Sequence, residues 1–183
     1  MMLVGAVVAL VALLIVVAGW YYASKQRRAR IRERFGPEYD RTVQEVGEPG
    51  KAEAILAERA KRVSRFKLHP LSADQADAFA RQWRLIQGKF VDDPDGAVRE
   101  ADQLVTQVMT ARGYPLEDFD RRAEDISVDH PNVVENYRTA RALVTRRSRG
   151  EAGTEELRQA VVNYRALFDD LLEVHHPRHR RAS

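Results

Sequence analysis

SADQADAFARQWRLIQGKF, residues 72–90, reads as one amphipathic helix with its start marked. Ser72-Ala73-Asp74-Gln75 has the form of a capping box, in which the Ser72 hydroxyl accepts from the Gln75 N–H while the Gln75 side chain reaches back. A helix therefore starts here. Phe79, Trp83, Ile86 and Phe90 follow at spacings of four, three and four. That period puts all four on one helical face, whereas alternate strand residues point to opposite faces.

Asp92-Asp93-Pro94 ends this helix and caps the next, with Pro94 in the first turn where its missing N–H costs nothing. Ala97, Ala101, Leu104, Val105, Val108 and Met109 form a second apolar face, closed by Gly113 and Tyr114-Pro115. A shorter helix is predicted over Leu116–Asp125, with Phe119, Ala123 and Ile126 inward. Asp129-His130-Pro131 is predicted to open the next, with Val133, Val134, Tyr137, Ala140 and Val144 along one side. Arg146, Arg147 and Arg149 suit the negative end of its dipole, and Gly150 stops it. Thr154 is predicted to cap the last helix, whose stripe is Leu157, Val161, Tyr164, Phe168 and Leu171. No segment shows the β-branched alternation of a strand. The fold class is all-α: an N-terminal transmembrane helix, a helical stalk and a compact bundle of about five helices. At about 1.5–3 kcal/mol for each large side chain buried, these faces can offset chain entropy without metal or disulfide.

Upstream lies a different chemistry. Residues 1–23 carry no charged side chain, and Leu3–Tyr22 as a helix at about 1.5 Å per residue matches the hydrocarbon thickness of a bilayer. A signal peptide needs a basic start and a small-residue exit, and this stretch has neither. The reading is an uncleaved anchor with Trp20, Tyr21 and Tyr22 at the headgroup level. Lys25, Arg27, Arg28, Arg30, Arg32 and Arg34 follow at once and complete the predicted membrane-interface set. No base precedes the span, so the positive-inside rule places the N-terminus outside and the rest in the cytoplasm. Gly5 and Gly19 form no GxxxG face. The chain has no Cys.

Gly36-Pro37 and Gly47-Glu48-Pro49-Gly50 interrupt the helices that follow, and His69-Pro70 bounds the bundle. The expected organisation is anchor 1–23, basic stalk 24–69, bundle 70–174 and basic tail 175–183. Residues 24–67 net +6, residues 68–174 net −6 and the tail +3. Cations beside a membrane gain about 1 kcal/mol each near an anionic leaflet. Nucleic acid is not favoured, because Trp83 belongs to a helical stripe and no recognition fold accompanies the basic residues.

Glu33–Arg41 (ERFGPEYDR), Phe90–Pro94, Arg112–Pro115 and Ser127–Pro131 resemble segments of a family of uncharacterised bacterial, actinobacterial-type proteins labelled hypothetical, membrane-anchored or secreted. The resemblance spans most of residues 32–172. It implies a bacterial source and no assigned activity, so no functional residue is carried over.

No catalytic residue, metal ligand or cofactor is assigned. Asp129 beside His130 has the composition of an oriented general base, but neighbours in sequence rarely face one another, and a helix start needs the same residues. Asp92, Asp93, Asp95 and Gly96 lack the ligand at Val91 and the glutamate at Asp102 that a calcium loop requires. His175, His176 and His179 form a His-rich tail without a scaffold, and His69 is a boundary residue. Tyr39, Tyr114, Tyr137 and Tyr164 are read as core or capping groups. HExxH, GxSxG, phosphate-loop and dinucleotide motifs are missing. The reading that remains is a single-pass, membrane-anchored, non-enzymatic interaction module with the bilayer and a protein as partners. Two alternatives stand beside it: an anionic-lipid sensor using Lys61, Arg62, Arg65 and Lys67, and a small-ligand or metal-dependent activity at Asp129 and His130.

Overall fold

The computed structural model describes residues 28–172 together with residues 13, 15, 18, 19, 22, 25 and 26. Most of the expected anchor and all of the tail lie outside the described residues. Among those described, no helix is long and apolar enough to cross a membrane, and there is no strand. The chain divides into two compact units at Ala57 and Glu58.

In the first unit, α1 covers residues 28–35 and turns at Gly36, whose φ of 47° favours glycine. Helix α2, Pro37–Val46, places Pro37 in its first turn and ends at left-handed Gly47; α3, Pro49–Val63, begins immediately. Glu53 ties these pieces together. It accepts from the Tyr39 hydroxyl at 3.2 Å and pairs with Arg28 at 3.4 Å. Burial, then the Glu53 charge, raises the Tyr39 pKa. Phe35, Thr42, Ala52 and Leu56 are buried, so this stretch is better packed than its thin apolar stripe suggests.

The second unit takes the end of α3 and five further helices: α4 Ala73–Lys89, α5 Pro94–Ala111, α6 Phe119–Asp129, α7 Val134–Ser148 and α8 Thr154–Leu172. The capping box at Ser72 is complete in both directions, at 3.2 Å and 3.0 Å. Asp93 caps α5 through the Gly96 N–H at 2.8 Å. Helix α8 packs against α5 and α7, and α4 lies on α5. Trp83 stacks on Phe168 with ring centroids 4.7 Å apart, and the apolar stripes of α4, α5, α7 and α8 close into one core around them. Arg147 fastens the rim, donating from Nε and Nη2 to Asp95 at 2.9 Å and 2.8 Å.

Three predicted boundaries move. The short helix runs Phe119–Asp129 instead of Leu116–Asp125, because Asp118 supplies the cap by accepting from the Arg121 N–H at 2.9 Å. Asp129-His130-Pro131 does not open α7. Asp129 is the last residue of α6, His130 its C-cap, and α7 starts at Val134 without a side-chain cap. Thr154 is the first residue of α8 rather than its cap, and Glu156 reaches back to the Gly153 N–H at 2.9 Å. Gly150, at φ 75°, ends α7 as predicted.

Candidate functional site

Three of the buried polar residues of the second unit, Asp125, Ser127 and His130, lie at the corner where α6 hands over to α7. Gly113 begins it. At φ 95° it suits glycine, and an added Cβ would lie 2.5 Å from the Lys67 carbonyl oxygen. That close approach lets the His69 N–H donate to the Arg112 carbonyl at 3.0 Å. Tyr114 then turns inward, edge-on to Phe66 with centroids 6.5 Å apart, and its hydroxyl donates to Asp129 at 3.1 Å. Burial first, and the Asp129 charge second, drive its pKa far above the ordinary phenol value.

His130 is 3% exposed. Its Nδ1 pairs with the Asp170 carboxylate on α8. Its N–H donates to the Ile126 carbonyl at 2.8 Å, while its carbonyl accepts from Val133 and Val134, both at 3.2 Å. One residue thus completes the end of α6, the start of α7 and the link to α8. Arg112 adds a second link to α8, donating to the Leu171 carbonyl at 2.7 Å. The arrangement has an acid–imidazole pair, but a general base must reach a substrate proton, and this imidazole is enclosed. The pair ties the α6–α7 corner to α8.

Beside the corner, Asp125 is almost fully buried and receives Arg62 at 2.7 Å, while Glu124 accepts from Arg62 and Arg121, both at 3.0 Å. Burial outweighs Arg62 and leaves the Asp125 pKa raised. Arg62 is therefore paired with Asp125 and Glu124; Lys61 pairs with Glu58 at 3.8 Å, whereas Arg65 and Lys67 are exposed.

A polar seam through the bundle escaped sequence reasoning. Arg122 donates to Thr106 at 2.9 Å, and Arg141 lies over the Phe119 ring, 4.0 Å from Asp102. Tyr137 and Tyr164 are fully buried; their hydroxyls lie near Thr106 and Asp102 without good hydrogen-bond geometry. Burial pushes the Tyr137 pKa up to about 12 and raises that of Tyr164. The available signal was the four-residue spacing of Asp102 with Thr106 and of Tyr137 with Arg141.

Of the predicted interface residues, Trp20, Tyr21 and Arg27 lie outside the described residues. Tyr22, Lys25, Arg28, Arg30, Arg32 and Arg34 are helical and exposed. Arg32 also pairs with Asp40 at 3.5 Å. Among the described residues no group of His, Cys, Asp or Glu is arranged to hold a metal ion. In the Asp92, Asp93, Asp95 and Gly96 cluster, Asp93 accepts from the Gly96 N–H and Asp95 from Arg147. His175, His176 and His179 fall outside the described residues. No protein family, curated protein or solved structure matches the chain.

Proposed function

We propose that this chain is a single-pass, membrane-anchored helical module that presents its acidic bundle to a protein partner on the cytoplasmic side and performs no catalytic step. The observation that carries the reading is the uncharged stretch 1–23 followed directly by a basic helix whose Arg28, Arg30, Arg32 and Arg34 are exposed. Cations in that position favour the anionic leaflet and resist translocation. The closed state of the His130 corner adds support, since it leaves that pair a packing role. Alkaline carbonate extraction with protease treatment of intact cells tests the reading. The full chain stays in the membrane pellet and its C-terminal part survives protease until the membrane is permeabilised. Release by carbonate, or trimming in intact cells, overturns it.

A further inference from the structure

We propose that the exposed face of α4 is a self-docking surface, on which a second copy of this chain lays its own α4 antiparallel across a two-fold axis. On a 3.6-residue helix, Asp74, Asp77, Ala78, Arg81, Arg84, Leu85 and Gly88 share one side, opposite the buried Trp83. The acids stand at the start of this face and the arginines at its end. Both pairs are three residues apart, so one antiparallel register with its axis near residue 79 sets Asp77 against the partner's Arg81 and Asp74 against the partner's Arg84 together. A parallel register would set like charges side by side.

None of these four charges has an ion pair among the described residues. The contrast with the rest of the surface is informative. Asp77 and Arg81 have the i,i+4 spacing at which Arg165 and Asp169 pair at 2.6 Å, yet they do not pair. Leu85 is 74% exposed on the same face, and in the antiparallel register it covers the partner's Ala73. Ala78 and Gly88 keep the face low enough for close helix approach. A shallow groove of about 230 Å³ runs alongside, lined by Leu85, Ile86, Leu104, three glutamines and Glu100, whose charge Lys89 takes up, and widens the surface. A wholly acidic or wholly basic partner would satisfy half of this face and repel the other half; a second copy satisfies all of it. Two copies anchored in one bilayer also meet at raised effective concentration, which suits a modest contact area.

The proposal deepens the interaction-module reading, on which it rests, by naming a partner. Carbonate extraction tests the anchor separately, so either can fail alone. The chain lacks Cys, so Ala78→Cys in the full chain, held in detergent micelles and oxidised with copper phenanthroline, gives an unambiguous reporter. Its yield of linked dimer exceeds that of Val91→Cys, an exposed control position away from this face. Adding Arg81→Glu and Arg84→Glu lowers the yield about tenfold or more through like-charge opposition. Mixing that chain with one carrying Asp74→Arg and Asp77→Arg restores a linked, mixed dimer. A yield no higher than the control, indifference to charge reversal, or failure of the mixture to recover overturns the proposal. Sedimentation of the unsubstituted chain provides a second reading: dimer forms and weakens as salt rises, and a monomer at every concentration also overturns it.

Discussion

Two junctions in this chain carry similar letters and meet the same need by different means. Asp92-Asp93-Pro94 joins α4 to α5, and Asp129-His130-Pro131 joins α6 to α7. At the first, the aspartate before proline caps the helix that follows, and the proline falls in the first turn. At the second, a histidine intervenes, the aspartate closes the helix behind it, and the next helix has no side-chain cap. Local chemistry completes one junction. Tertiary partners complete the other: Tyr114 takes Asp129, and Asp170 takes His130. A cap needs only its own helix, so its loss is felt locally; a corner shared by three helices spreads its loss through the bundle.

His130→Ala has the largest expected effect. It removes a buried ring and its bond to Asp170 on α8, at a cost of about 2–4 kcal/mol. Chemical denaturation of the full chain measures it. A loss of about 1 kcal/mol, the size of a missing cap, would return this junction to the class of the first. Tyr114→Phe ranks next, at about 1–2 kcal/mol for the lost bond to Asp129. It also changes the alkaline limb. Tyr114, Tyr137 and Tyr164 all have raised folded-state pKa values, so above pH 10 the unfolded chain releases protons that the folded chain retains. Stability then falls with rising pH, by about 1.4 kcal/mol per pH unit for each such tyrosine. In Tyr114→Phe one tyrosine's share of that slope disappears, and an unchanged slope would mean Tyr114 is not closed off from water.

Helix identity in the bundle was legible because each stripe repeats at helical period and the strongest caps are local. Ser72 with Gln75, Asp93 with Pro94, and Gly150 all announce themselves within four residues. The α6–α7 corner was not legible, since nothing near Asp129 in sequence reveals that Tyr114 lies against it or that Asp170, forty residues on, takes His130. The packing of α3 was hidden in the same way. Arg62 reads as a stalk cation until Asp125 and Glu124 come beside it from sixty-odd residues away. Of the candidate site, composition read Asp129 and His130 as the start of a helix, whereas they close the one before it.

Asp93→Ala gives the smallest effect, because the cap serves its own helix alone. The Gly96 N–H, aided by Lys89, holds the Asp93 pKa below the usual carboxylate range. A depressed carboxylate contributes stability that is present above its unfolded pKa, about 4, and is lost as pH falls through the folded value. The parent chain therefore loses this contribution in acid, and Asp93→Ala has none to lose. The two stability profiles should run apart at neutral pH and draw together below the carboxylate range. Profiles that stay parallel throughout would mean that Asp93 acts through its shape and not its charge, which is the behaviour of a packed corner rather than a cap. Because the side chain is half in water, the gap is narrow, and it should shrink further with added salt as Lys89 is screened.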